Sequence, residues 1–280
     1  MEGVCRRRPR RPGPAIHPGA TPLKHILTLF TLPLLFIASA AAAQGAPGIS
    51  FHADWTLTQS RTLVAGDAVQ VTYDTNRLPQ CRLTLPDGTP GWSLTGHYRV
   101  NGGPEGSFDV AGQPTAGAPP VVSLPAEGTL ALWFRVSSPG CEHYDSHFGS
   151  NFQFAVRAAG TAPTPTWVFQ EGWLEYTVGT VKAGQPFLVD YDIDRLPECR
   201  LLYNGAPTWE VWVHYRFDNG VTGSQSITQV SGYSRYGVPV TLTPPAGARA
   251  VTLWFENWDR GYCRRWDSLH GQNYRLALQP

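Results

Sequence analysis

Residues 209–218 read Trp209-Glu210-Val211-Trp212-Val213-His214-Tyr215-Arg216-Phe217-Asp218, and this stretch decides the fold. Trp209, Val211, Val213, Tyr215 and Phe217 fall on every second position, the period of a strand with one buried face. Trp212, His214 and Arg216 then point the other way. The same phase occurs earlier in Trp92, Leu94, Gly96, Tyr98 and Val100, with Thr95, His97 and Arg99 opposed to it. Val69, Val71 and Tyr73 make a second inward row, as do Phe187, Val189 and Tyr191. Leu130, Leu132 and Phe134 make a third, matched by Val251, Leu253 and Phe255. Short alternating runs with Gly/Pro turns between them predict an all-β chain built as antiparallel β-sandwiches.

These runs recur in one order. Tyr73-Asp74-Thr75-Asn76-Arg77-Leu78-Pro79-Gln80-Cys81-Arg82 returns as Tyr191-Asp192-Ile193-Asp194-Arg195-Leu196-Pro197-Glu198-Cys199-Arg200. His97-Tyr98-Arg99 returns as His214-Tyr215-Arg216, and Leu132-Trp133-Phe134 as Leu253-Trp254-Phe255. Cys141-x-x-Tyr144-Asp145-Ser146 returns as Cys263-x-x-Trp266-Asp267-Ser268. Self-similarity at this period predicts two tandem sandwich domains of one-domain size, over residues 44–159 and 167–280. The Pro/Thr-rich segment 160–166 reads as a short, semi-extended spacer between them.

Composition narrows the class. The chain is 42% hydrophobic and 15% charged, which excludes disorder. Gly (29) and Pro (25) are spread throughout, which argues against a helical protein. The first 43 residues hold Arg6, Arg7, Arg8, Arg10, Arg11 and Lys24 against Glu2. The remaining chain therefore keeps 16 of the 22 basic and 20 of the 21 acidic side chains, a net charge of −4. A body of that sign is not built to neutralise phosphates, so no nucleic-acid partner is expected. Lys24-His25, the apolar run from Ile26 to Ala38 and Ala40–Ala43 form the pattern of a secretory signal peptide over 1–43. The apolar part is too short to span a bilayer. The mature chain is expected in the periplasm or outside a bacterial cell, with no membrane span.

Cys5 lies in this leader. The other four cysteines sit at equivalent places, two per copy, and a copy folding alone selects Cys81–Cys141 and Cys199–Cys263. An oxidising compartment allows both bonds. A four-cysteine metal site would need C-x-x-C spacing, which is missing. Each bridge brings the Arg-Leu-Pro-x-Cys-Arg loop to the Cys-x-x-aromatic-Asp-Ser loop. Arg77, Arg82, Arg195 and Arg200 are therefore expected in structural ion pairs with nearby carboxylates, above all Asp145 and Asp267. The competing use is a Ca²⁺ site from Asp74, Asn76, Asp145 and Asn151, against which the arginines argue.

Together these motifs resemble a family of uncharacterised secreted bacterial proteins, a domain of unknown function, over essentially all of residues 50–280. The C-terminal copy departs from the pattern with Trp266 and with Leu269-His270. The resemblance implies export and a two-cysteine domain. It supplies no activity and no catalytic residue.

Candidate chemistry is sparse. His97 and His214 are the equivalent histidines, each followed two residues later by Arg99 or Arg216, so an outward His-x-Arg pair could bind an anion or serve acid–base work. Cross-strand packing is the alternative use. His143 and His147 lie in a loop without zinc-protease spacing, and Asp145-Ser146 and Asp267-Ser268 read as turn residues. Trp55/Trp173, Trp92/Trp209 and Trp133/Trp254 match between the copies and are expected mostly in the core. Trp212, on the outward phase, is unexplained by the core, and flat aromatic faces on a sandwich stack on sugar rings or on a partner. The expected function is exported, non-catalytic binding of a glycan or an envelope protein through Trp212, His214, Arg216, His97 and Arg99, without cofactor or metal. The alternatives are a secreted hydrolase of extracellular polymer using His97 and His214, and a structural interdomain module.

Overall fold

The computed structural model describes residues 45–113 and 118–280, so the expected signal peptide lies outside the described residues. The described chain is all-β; its helical content is three short 3₁₀ turns. Two of these, Thr75–Arg77 and Ile193–Arg195, show why the Tyr-Asp-x-x-Arg-Leu-Pro motif recurs. In each, the Asp caps the turn: Asp74 Oδ1 accepts from the Asn76 amide and Asp192 Oδ1 from the Asp194 amide, both at 2.9 Å. The turn then swings Arg77 or Arg195 inward, where both are buried.

One sheet runs through the whole described chain. Its eight strands lie in the order Val240–Leu242, Phe187–Tyr191, Thr166–Gln170, Leu174–Val178, Leu57–Gln59, Gly48–Phe51, Ala68–Tyr73 and Val121–Ser123. The C-terminal half supplies the first four and the N-terminal half the last four. They meet in a parallel pairing, Thr177 beside Thr58 and Val178 beside Gln59. The segment read as a spacer therefore leads into a strand that begins at Thr166, and the sheet is continuous across the halves.

Strand alternation now separates two cores. The registers put Ile49, Phe51, Leu57, Val71, Tyr73, Val168, Tyr176 and Val178 on one face of this sheet. Trp167, Phe169, Val189 and Tyr191 are on the other. The first set belongs to a cluster that includes Phe134 and Phe154, the second to a cluster that includes Val211 and Phe255. Over the first face lies a sheet of Leu63–Val64, Phe152–Arg157, Gly128–Ser138, Ser93–Val100 and Gly106–Gly112, with Cys141–Asp145 added beside Gly128–Ser138. Over the second face lies a sheet of Thr222–Ser226, Trp209–Phe217, Ala250–Asp259 and Arg264–Asp267, with Tyr274–Ala277 added beside Ala250–Asp259. The two covering sheets thus sit on opposite faces of the shared one. Val168, Leu174, Tyr176 and Val178 of the C-terminal half are buried in the N-terminal core.

The inward rows are buried as the alternation predicts: Val69, Val71 and Tyr73; Phe187, Val189 and Tyr191; Leu130, Leu132 and Phe134; Val251, Leu253 and Phe255. Tyr98 lies opposite Gly106 and Tyr215 opposite Gly223, and a Cβ on either glycine would sit 2.3 Å from the nearest tyrosine side-chain atom. The ring lies where the glycine has no side chain. Disulfides join Cys81 to Cys141 and Cys199 to Cys263, as expected. Among the described residues, no helix is long and apolar enough to cross a membrane.

Candidate functional site

The outward faces of the two covering sheets carry the residues that the sequence singled out. In the N-terminal half, His97 pairs across strands with Trp133, and the rings stack with centroids 5.5 Å apart. In the C-terminal half, His214 stacks on Trp254 at the same spacing. Trp133 and Trp254 are therefore half-buried outer-face residues, and the expectation that they fill the core is corrected: they stand one position out of phase with Leu132/Phe134 and Leu253/Phe255. Trp209 is in the C-terminal core, and Trp92 packs against the margin of the N-terminal one.

Around this shared His–Trp pair the faces differ. Thr95, Arg135, Ser137 and Tyr144 in the N-terminal half correspond to Trp212, Glu256, Trp258 and Trp266 in the C-terminal half, by register against His97 and His214. The C-terminal face thus gathers four tryptophans, of which Trp266 is 48% exposed. At its centre His214 Nε2 lies 3.0 Å from Glu256 Oε2, and Arg264 Nη1 lies 3.2 Å from Oε1. The Glu256 carboxylate is buried, and its Oε1 lacks an aligned hydrogen bond, as does the buried indole nitrogen of Trp212. Glu210 accepts from Ser226 Oγ at 2.7 Å at the edge.

Among the described residues, the N-terminal face has no such aromatic floor. Its His97 Nδ1 meets Glu105 Oε1 at 2.9 Å, with Arg99 Nη2 3.1 Å from the other oxygen. Against desolvation, the Arg99 and His97 contacts hold the Glu105 carboxyl below its ordinary range. An Arg135–Glu142 pair occupies the place of Glu256–Arg264 with the charges exchanged. His97 and Arg99 thus lie in one sheet and Trp212, His214 and Arg216 in another, so the structure does not bring the five into one site. Arg216 itself is exposed, beside Thr252.

The predicted ion pairs resolve unevenly. Arg77 Nε donates to Asp145 Oδ2 at 2.7 Å and Arg195 Nε to Asp267 Oδ2 at 2.9 Å, all four side chains being buried. Tyr73 and Tyr191 donate to the same oxygens, and burial, with the adjacent carboxylate, pushes both phenols well up. Sequence reasoning placed these tyrosines only as core; their hydroxyls complete the network. Arg200 pairs with Asp194 at 2.9 Å. Arg82 is a correction: it has no carboxylate partner among the described residues. It donates instead to the carbonyls of Thr75 and Leu78 and lies over the Trp92 ring. Asp145 is bonded to a guanidinium and Asp74 caps a turn, structural uses that compete with the Ca²⁺ reading. His147 Nε2 lies 3.2 Å from the carbonyl of Gly172 in the other half.

Trp55 and Trp173 overturn their expectation most clearly. They are 60% and 62% exposed, each at the tip of a hairpin and each covering a buried arginine. The signal was available: both precede a strand directly after turn residues, Ala53-Asp54 and Glu171-Gly172.

A family model matches residues 44–279, nearly the whole described chain. The chain belongs to DUF6209, a family of unknown function. The match covers both halves together, the two disulfides, and both outer faces of this DUF6209 chain. No curated protein matches it.

Proposed function

We propose that the chain is an exported, non-catalytic binding protein made of two copies of one β-sandwich unit, and that it takes carbohydrate on the outer face of the C-terminal sheet. One observation carries this reading. Trp212, Trp254, Trp258 and Trp266 share one face around the carboxylate of Glu256, which His214 and Arg264 flank. Indole faces accept the C–H surface of a pyranose, and the polar groups among them accept and donate to its hydroxyls. The two disulfides fit an oxidising compartment.

The test is a glycan array probed with the full-length chain expressed with its own leader, alongside Trp212→Ala and Trp266→Ala. Saturable binding that either variant weakens tenfold or more supports the reading. Binding indifferent to both, or no binding to any glycan, overturns it and turns attention to an envelope protein.

A further inference from the structure

A second site emerges where the halves meet. Trp55 sits between strands Gly48–Phe51 and Leu57–Gln59, and Trp173 between Thr166–Gln170 and Leu174–Val178. Leu57–Gln59 and Leu174–Val178 are neighbours and run parallel, so the two hairpin tips lie side by side at one end of the shared sheet. With Phe148, which is 97% exposed, they edge a cleft of about 490 Å³ whose lining includes Arg77, Ser146 and Phe152. Each indole has one face on a guanidinium: Arg77 Cζ lies 4.7 Å from the Trp55 ring and Arg195 Cζ 4.9 Å from the Trp173 ring. Their exposure therefore belongs to the opposite faces and the edges. Phe148 adopts a left-handed backbone at φ 57°, which L side chains avoid, so its ring is held out at a conformational cost.

The two buried arginines differ in one respect. Both spend Nε on the aspartate and Nη1 on a hairpin carbonyl, His52 O for Arg77 and Gln170 O for Arg195. Arg195 also donates from Nη2, to Glu175 Oε1 at 2.7 Å and to the Tyr274 hydroxyl at 2.8 Å. The N-terminal half places Leu57 where the C-terminal half has Glu175, and Phe152 where it has Tyr274. Among the described residues, Arg77 Nη2 consequently finds no acceptor, although the side chain is only 3% exposed and lines the cleft. Nη2 is not among the fully buried unpaired atoms, so it is open toward the cleft, and a carboxylate is the best partner for such a guanidinium nitrogen. The C-terminal half demonstrates that this frame accepts a second carboxylate beside the first: Arg195 is bonded to Asp267 and Glu175 together.

We propose that the junction cleft binds a carboxylate-bearing pyranose, a uronic-acid unit of an acidic saccharide. The sugar carboxylate takes on Arg77 Nη2 the place that Glu175 holds on Arg195. The C–H face of the ring lies against the indole of Trp173, and the hydroxyl of Ser146, which makes no capping bond, is available to the ring hydroxyls. Asp145, already bonded to Arg77 Nε, is the carboxylate in the lining of this cleft; those of Glu171 and Asp192 line the adjoining depression beyond His147 and Phe148. The site shares no residue with the Trp212 face, so either can fail alone.

The experiment is titration calorimetry of the full-length chain with trimers of galacturonate, glucuronate and mannuronate and with their uncharged hexose counterparts. At least one uronate should bind saturably and its neutral counterpart at least tenfold more weakly. Trp173→Ala should weaken the uronate at least tenfold. Phe152→Tyr, which installs the hydroxyl that Tyr274 supplies in the other half and should fold for that reason, should bring uronate binding down toward that of the neutral sugar. Trp212→Ala should leave it unchanged. Binding to none of the uronates, equal binding of the neutral sugars, or uronate binding untouched by Trp173→Ala and Phe152→Tyr would each overturn the proposal.

Discussion

The N-terminal and C-terminal halves share a frame and differ in what they hang on it. In both, a capped 3₁₀ turn delivers an arginine to a buried aspartate, a tyrosine hydroxyl shares the carboxylate, and a tryptophan covers the guanidinium. The C-terminal arginine is saturated by Glu175 and Tyr274; the N-terminal one is left a partner short. On the outer faces the His–Trp stack is kept, while the flanking ion pair is exchanged in sign and threonine, serine and tyrosine give way to tryptophans. The difference teaches that the buried polar network belongs to the fold, whereas the surfaces beside it are free to diverge.

The largest expected effect tests the frame itself. Asp145→Asn leaves Arg77 buried with no carboxylate, so it should cost about 3–5 kcal/mol. Asp267→Asn leaves Arg195 its bond to Glu175 and should cost clearly less. Urea midpoints of the two variants decide this, and equal losses would show that Glu175 does not compensate. Next come the disulfides, whose separations of 60 and 64 residues are nearly equal. Replacing either cysteine pair by alanine should cost about 4 kcal/mol by the chain-entropy argument. A large disparity in denaturation would mean that the shared sheet already restrains one half.

Smaller effects separate the faces. Glu256 is buried beside His214, so Glu256→Gln should lower stability by about 1–2 kcal/mol. Arg135→Gln breaks a half-exposed pair and should change it by less than about 0.5 kcal/mol. Thermal melts under one buffer compare them. The smallest effect is one of pH. Asp190 stands where the N-terminal half has the exposed Thr72, and burial holds its carboxyl above the ordinary range. A raised carboxyl favours the fold while protonated, and that contribution is lost as pH rises through the folded pKa. Asp190→Asn should therefore melt higher than the parent at about pH 7, with the gap closing toward about pH 3. A gap that stays constant with pH would exclude ionisation of Asp190 as its source.

Much of this is legible in the sequence. Alternation at Val69–Tyr73 or Val251–Phe255 reports burial because a pleated strand offers every second side chain to one face. The disulfide pairing followed from two cysteines at equivalent places in each half, which a half folding alone can only pair with each other. The core tryptophans were the weak point, because an indole is at home in a core, over a guanidinium or on an open face. Trp209, Trp173 and Trp266 occupy these three settings in turn.

The sequence by itself determined the all-β class, the phase of the inward strand rows and the cysteine pairs, and it placed Arg77 and Arg195 near Asp145 and Asp267 without choosing them over Arg82 and Arg200, since all of this rests on local periodicity or on motifs recurring in one order. Only the tertiary structure decided that Thr58 and Thr177 lie in neighbouring strands, that the two cores occupy opposite faces of one sheet, and that Arg77 lacks the partners Arg195 has. These depend on which edges meet and which side chains fill a space across more than a hundred residues of chain. Backbone hydrogen bonding at an edge is indifferent to sequence, so no pattern of residues announces it in advance.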